Sequence, residues 1–272
     1  MKYFYNIELF YDGQNYFGWQ KQKEFNTIQG TLEKSLKEIT TSKKIRTMGS
    51  SRTDTGVHSR ANICFVQIEE DFKPIDLLEG LNRTLPNDIR VKRCERTYNH
   101  FKVIYFASKK EYVYIFKNEK KDLESPYFHN IQEKLDLEKM QEAAKLFVGT
   151  HDFTNFCFKA AKNSEKVREI YRCEIVEDQR IIQENDCAHS FALIIEGSGF
   201  LKQMVRIIMG TLINIGLGKT STEDILESLQ TTEFRKTGFI SPGSGLYLNR
   251  IDFIRDPFKG LKSKKKKNEE IQ

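Results

Sequence analysis

No apolar run in this 272-residue chain approaches the roughly 20 residues that a membrane-crossing helix needs. The opening Met1-Lys2-Tyr3-Phe4-Tyr5 lacks the charged and then apolar pattern of a secretory signal and already reads as strand, so a cytoplasmic protein is expected. The five cysteines, Cys64, Cys94, Cys157, Cys173 and Cys187, include no Cys-x-x-Cys pair and no zinc-type spacing. Odd in number and widely spaced, they read as reduced thiols rather than as a disulfide framework or a metal site. Short-period repeats are also missing. The net charge of +6 is a weaker hint of nucleic acid than it looks. Six lysines and two glutamates fall between Pro257 and Gln272, so four of the six excess charges belong to the tail. Bulk charge does not demonstrate an RNA partner; a clustered basic surface would.

What is present is enough for two modest domains or one large one, with 20 Phe and 11 Tyr to build cores. Tyr3, Tyr5, Ile7, Leu9 and Tyr11 alternate with Phe4, Asn6, Glu8 and Phe10, which predicts a first strand, and Asp12-Gly13 a turn after it. A helix is expected over 27–39, with Ile28, Leu32, Leu36 and Ile39 on one face. Strands are expected near 45–48 and 61–68. Pro74 suits the first turn of a helix carrying Ile75, Leu78 and Leu81, ahead of a strand near 89–94. In the second half, strands are expected near 111–117, 167–176, 190–196 and 246–254. Asp136 can cap a helix bearing Leu137, Met140, Ala144 and Phe147. A long apolar helix is expected from about Phe200 to Gly216, and Thr220-Ser221-Thr222-Glu223 reads as a capping box opening a shorter one. Strands and helices mix without strict βαβ alternation, which favours an α+β fold, helices packed on a mostly antiparallel sheet. The halves are expected to join near 98–106, and the lysine-rich end to be a disordered tail, whose attraction to RNA would be auxiliary.

One segment concentrates chemistry: Met48-Gly49-Ser50-Ser51-Arg52-Thr53-Asp54-Thr55-Gly56-Val57-His58-Ser59, a small, polar, glycine-flanked loop between two expected strands. Such loops present side chains to clefts. Taken alone, Arg-x-Asp is most simply a turn whose carboxylate binds backbone amides. The whole run, however, resembles the signature of the TruA-type tRNA pseudouridine synthases: Gly, two small residues, Arg-Thr-Asp, one variable residue, then Gly-Val-His. Tyr11-Asp12-Gly13, Tyr16 and Gly18-Trp19-Gln20 resemble that family's first-strand motif, and Ile28-Gln29 with Leu32-Glu33 its first helix. Asn82, Leu85-Pro86 and Asp88-Ile89 resemble the segment closing its first domain. Gly149, His151-Asp152-Phe153 and Phe156 resemble a loop of its second. Phe200-Leu201 with Met204-Val205-Arg206 resembles its active-site helix, and Ser241-Pro242 with Gly245-Leu246-Tyr247-Leu248 its final active-site strand. The similarity runs in order over residues 3–254.

The resemblance implies two α/β, ferredoxin-like halves around a central sheet with the active-site cleft between them: residues 1–104 carrying the catalytic loop, 105–256 completing the cleft, and 257–272 a tail. It implies conversion of uridine to pseudouridine at positions 38–40 of the tRNA anticodon arm, by a homodimer that contacts tRNA with both subunits and needs no cofactor and no metal. Breaking the bond from C1′ to N1 develops positive charge on the sugar, as in glycoside hydrolysis, and one ionised carboxylate suits that need. By resemblance this is Asp54, which could stabilise the cation, add to C1′ or remove a ribose proton. Arg206 would be its ion-pair partner, keeping it ionised against burial. Tyr112 would stack on the uracil and help remove the C5 proton. Leu246 would wall the pocket, and Arg52 would assist extrusion of the nucleotide from its stack. His58 is assigned no role in the chemistry.

Some positions depart from the family pattern. Phe101-Lys102-Val103-Ile104-Tyr105 lacks the arginine usual before the tyrosine strand, Lys110 stands where arginine precedes the active-site tyrosine by two, and Asn62 replaces a common glutamine. Lys and Arg differ in phosphate geometry, so a different RNA target, ribosomal RNA included, remains an alternative for a substrate-binding Lys110. A non-catalytic RNA-binding module and a small-molecule nucleosidase are the rival classes. The latter usually needs paired carboxylates or a metal.

Overall fold

Tyr5, Ile7, Leu9 and Tyr11 of the first strand, β1 (Tyr3–Tyr11), are fully buried, as their alternation requires. The computed structural model describes residues 1–98, 101–159, 165–177, 190–233, 235 and 237–259. Cys187 and the lysine run of the tail lie outside them. Cys64, Cys94, Cys157 and Cys173 are free thiols. No described helix is long and apolar enough to cross a membrane.

After β1 come α1 (Ile28–Ile39), β2 (Arg46–Gly49), β3 (His58–Ile68), α2 (Pro74–Thr84) and β4 (Ile89–Arg96). Then follow β5 (Ala107–Lys117), β6 (His129–Asn130), α3 (Leu137–Lys145), β7 (Gly149–Asp152), β8 (Val167–Glu177) and β9 (Ser190–Gly197). The chain ends its described part with α4 (Met204–Gly216), α5 (Thr222–Gln230) and β10 (Leu246–Phe253). The strands form one sheet in the order β4-β1-β3-β10-β5-β9-β8-β7, with β2 also on β3 and β6 on β5. Among the described residues, only the β3–β10 and β5–β6 pairs are parallel. This is the α+β arrangement expected from the sequence.

The helices lie over one sheet face in two groups, each above its own core. Leu32 and Leu36 of α1 and Leu77 and Leu81 of α2 pack on Ile7, Leu9, Cys64 and Val66. Met140 of α3, Ile208 and Leu212 of α4 and Ile225 of α5 pack with Tyr114, Phe116, Leu193 and Leu248. Thr27 caps α1 by accepting the Gly30 N–H, and Asp136 caps α3 by accepting that of Lys139.

The two groups meet along a narrow seam on β3. Its last part, from Cys64 to Gln67, pairs with β2, while His58 and Ser59 at its start pair with Tyr247 and Leu248 of β10. The loop 50–57 therefore leaves the sheet where β3, paired with β1 on its other side, passes from one neighbour to the other.

Four expectations change. In α2, Leu77 is buried and Ile75 is 55% exposed, because at about 3.6 residues per turn position 75 points away from the face that carries Leu77 and Leu81. Helix α4 begins at Met204 rather than near Phe200, since Gln203 adopts a left-handed conformation (φ 59°) that blocks helix before it. The capping box of α5 joins Ser221 to Asp224 rather than Thr220 to Glu223. Strand β3 starts three residues earlier than its apolar pattern suggests, because pairing with β10 holds His58 and Ser59 extended.

Candidate active site

The Asp54 loop is fastened by side chains rather than by packing alone. Asn62, on β3 beneath it, accepts from the Ser50 hydroxyl (2.9 Å) and the Ser51 N–H (3.3 Å) and donates to the Ser51 carbonyl (2.9 Å) and the Tyr11 hydroxyl (3.2 Å). Tyr11 in turn pairs with Thr53 Oγ1 at 2.9 Å. Gly18, at φ +85°, lies so close that a Cβ there would stand 2.6 Å from the Thr53 carbonyl. From the far side Gly243 presses on the loop, where a Cβ would reach 2.3 Å from the Thr55 carbonyl. Thr53 is buried, and Asp54, the next residue, turns its carboxylate into a cleft of about 910 Å³.

The opposite wall comes from α4. Eleven of its thirteen residues are buried, which makes it a core helix, and Arg206 is one of the two that are not. Arg206 donates from Nε to the Ser241 carbonyl at 2.6 Å, which orients the guanidinium, and its Nη1 lies 3.6 Å from Asp54 Oδ2. At that distance the pair is an ion pair rather than a hydrogen bond. Burial pushes the Asp54 carboxyl above the ordinary value, and the charges of Arg206 and then Lys202 pull it back.

All six residues singled out in the sequence line this one cleft: Arg52, Asp54, Lys110, Tyr112, Arg206 and Leu246. Tyr112 and Leu246 stand on the adjacent strands β5 and β10. The Tyr112 hydroxyl is 3.0 Å from Ser51 Oγ, its ring meets Phe200 edge to face at 5.2 Å, and burial raises the phenol well above its usual range. It is therefore a neutral hydroxyl at physiological pH. Lys110 donates from Nζ to the Ser50 carbonyl at 2.8 Å, and burial, then Arg168, lowers it to about 8. Arg52 is exposed at the cleft and makes no hydrogen bond or ion pair among the described residues.

His58 stays out of the cleft. It is buried, stacks on Tyr247 at 4.6 Å, and bridges Asp12 (3.1 Å), the Gly13 N–H (3.1 Å) and the Pro126 carbonyl (2.8 Å). Sequence reasoning missed Lys202 and Gln203 as cleft residues, although they fill the gap between Phe200-Leu201 and Met204-Val205-Arg206. It also treated Asn62 only as a departure, whereas it ties Ser50, Ser51 and Tyr11 together. A polar residue at the loop-facing start of the run 61–68, whose one other polar residue is Gln67 near its far end, was the available signal.

Comparison with known proteins agrees in extent with the similarity read from the motifs. The family model for "tRNA pseudouridine synthase" matches residues 10–105 and 143–253. The tRNA pseudouridine synthase A 2 of Bacillus thuringiensis subsp. konkukian is 34% identical over 252 residues, 92% of this chain and 99% of that protein. The tRNA pseudouridine synthase A of Caldicellulosiruptor saccharolyticus is 36% identical over 244 residues, 89% of this chain and 96% of that one. A crystal structure of the archaeal box H/ACA sRNP Nop10-Cbf5 complex overlaps 78% of this chain and 42% of that chain at 14% identity and a TM-score of 0.29, too slight to add anything. With the family model spanning the Asp54 loop and the Arg206 helix, and relatives at 34% and 36% identity covering 92% and 89% of its length, this chain belongs to the tRNA pseudouridine synthase family.

Proposed function

We propose that this protein isomerises uridine to pseudouridine in tRNA, at positions 38–40 of the anticodon arm, with Asp54 as the reacting carboxylate. The observation that carries the reading is electrostatic. Asp54 is the one carboxylate among the described residues lining the cleft, facing Arg206 and accompanied by Arg52, Lys110 and Lys202. Arg52 and Lys202, the two of these cations not engaged by Asp54 or the Ser50 carbonyl, suit a phosphate backbone, and the clustering of all four supplies what bulk charge could not. The lone anion suits a reacting centre that becomes positive at C1′.

As the bond from C1′ to N1 breaks, electrons leave with the uracil and the sugar gains positive charge. Asp54, held ionised by Arg206, meets that charge directly, by adding to C1′ or by taking a ribose proton. The base then turns to present C5. Leu246 and the Tyr112 ring form apolar walls against which a flat base can turn without leaving. Rejoining through C5 leaves one proton to be lost from C5 and one to be gained at N1, so no oxidant or reductant is consumed. Tyr112, neutral and hydrogen-bonded to Ser51, is in reach to relay that proton. Arg52 is free to follow a phosphate as the nucleotide leaves its stack.

By the same resemblance, the protein acts in the cytoplasm as a homodimer that contacts one tRNA with both subunits. Residues 1–104 carry the Asp54 loop and 105–256 complete the cleft. One observation favours a second reading of the target. Ile104, where the family pattern has lost its arginine, is half exposed on the cleft, and Lys110 is spent on the Ser50 carbonyl. Both weaken the phosphate grip at that wall and suit a different RNA, ribosomal RNA included.

The test is incubation of purified protein with unmodified tRNA and, in parallel, with unmodified ribosomal RNA, followed by carbodiimide mapping. A mass-silent isomer at positions 38–40, absent with Asp54→Asn, is the expected result. Release of free uracil would make the protein a nucleosidase. Pseudouridine only in ribosomal RNA would transfer the activity to the second reading, and unchanged modification by Asp54→Asn would remove Asp54 from the chemistry.

A further inference from the structure

Between β1 and α1 the chain makes a closed loop whose aromatic residues divide sharply. Tyr16 and Trp19 are buried, Tyr16 donating its hydroxyl to Asp88 at 2.7 Å and Trp19 lying against Gly49. Phe17 and Phe25 point the other way, 48% and 47% exposed, with ring centroids 4.5 Å apart. The loop holding them is braced: the Phe17 N–H donates to the Asn26 carbonyl at 2.8 Å, and Gln22 Nε2 to the Phe17 carbonyl at 3.2 Å. Two half-exposed phenyl rings on a braced loop leave apolar surface in water that a core would have absorbed. Phe17 also lines the Asp54 cleft, together with Gln20, Gln22 and the free Arg52.

We propose that Phe17, propped from behind by Phe25, is a stacking platform for the base of a nucleotide adjoining the target uridine. The inference rests on the reading of the cleft as an RNA site. When a uridine is drawn into the cleft its neighbour loses a stacking partner. A ring fixed at the mouth replaces that partner, and Arg52 offers a cation to the phosphate between the two nucleotides. Stacking needs only a π-face, so the platform supplies affinity without reading sequence. A protein partner would have no need of a ring that also borders the pocket for the reacting base.

The probe is an anticodon-arm hairpin RNA carrying 2-aminopurine beside the target uridine, placed in turn on its 5′ and 3′ sides, with a matching abasic hairpin. Wild-type protein is expected to change the 2-aminopurine fluorescence at one of the two positions, and Phe17→Ala to abolish that change. Phe17→Ala should weaken hairpin binding on the order of 10-fold, and Phe17→Trp should restore it. The abasic hairpin should bind wild type about as weakly as Phe17→Ala binds the intact hairpin, with no further loss when both changes are combined. Phe17 is half exposed, so the variant folds, and an unchanged melting temperature checks this. Equal affinity of wild type and Phe17→Ala for intact and abasic hairpins would overturn the platform. If wild type binds with the fluorescence change but forms no pseudouridine, the functional reading fails while the platform stands.

Discussion

The two walls of the cleft are built on different principles. The Asp54 wall is a polar loop hung from hydrogen bonds, Asn62 to Ser50 and Ser51, Tyr11 to Thr53, Lys110 to Ser50. The Arg206 wall is an apolar helix sunk in the core, with Ile208, Met209 and Leu212 fully buried. Hydrogen bonds are directional and fix the aim of a side chain, while apolar burial fixes the position of a whole element and tolerates small tilts. The carboxylate proposed to react thus stands on the wall whose geometry is specified bond by bond. Its counter-ion stands on the wall that supplies stability. Changes on the first wall should therefore reach activity with modest loss of stability, and changes to the buried apolar residues of the second the reverse.

The largest effects lie at the carboxylate. Asp54→Asn should lower pseudouridine formation on the order of 10⁴-fold while RNA binding and melting temperature persist. Burial raises the Asp54 carboxyl, so its charged form is disfavoured in the folded state and the amide removes that cost. The same shift sets the pH dependence. Activity should fall as the pH drops through a value above the ordinary carboxylate range. Arg206→Gln should move that acid limb to higher pH as well as slow the reaction, since the charge opposing burial is gone. A pH–rate profile reads both, and an acid limb that stays put would show that Arg206 does not hold Asp54 ionised.

Next comes the contrast between the walls. Ile208→Ala should cost about 2–5 kcal/mol in urea unfolding and leave the rate per folded molecule near that of wild type. Asn62→Ala should cost less, about 1–3 kcal/mol, yet slow the reaction, because Ser50, Ser51 and the Tyr11 hydroxyl lose a shared partner. Equal ratios of lost activity to lost stability in the two variants would erase the distinction.

How far this division was legible in the sequence follows from the range of the forces involved. The Asp54 loop announced itself because its glycines, serines and charged residues form one continuous motif, and Tyr112, Arg206 and Leu246 followed from shorter motifs of the same family. Alternation and capping marked β1, α1 and α3, since these depend on neighbours a few residues away. The early start of β3 was hidden because His58 and Ser59 are held extended by β10, almost 190 residues further on. The late start of α4 was hidden because a left-handed Gln203 leaves no mark in an apolar pattern. Strands β6 and β7, two and four residues long, owe their existence to the strands they pair with. The platform at Phe17 was invisible for a similar reason. Tyr16, Phe17 and Trp19 are all aromatic in sequence, and only the loop closure sorts buried rings from exposed ones.

The smallest effect sharpens the comparison at its one mixed element, Lys110, a charged strut on the polar wall. Burial lowers its ammonium to about 8, against 10.5 in the unfolded chain. Between those values the unfolded state binds more protons than the folded one, so the Lys110 contribution to stability rises with pH across that window. Below about 8 the folded protein carries a buried charge at a cost. Lys110→Met removes both that cost and the bond to the Ser50 carbonyl, so any stability advantage of the variant at pH 7 should shrink as the pH climbs towards 10. Urea unfolding of the two proteins at pH 7 and pH 9.5 gives the comparison. A pH-independent difference would mean that the strut is neutral or solvated throughout, and that the polar wall is held by its hydroxyls and amides alone.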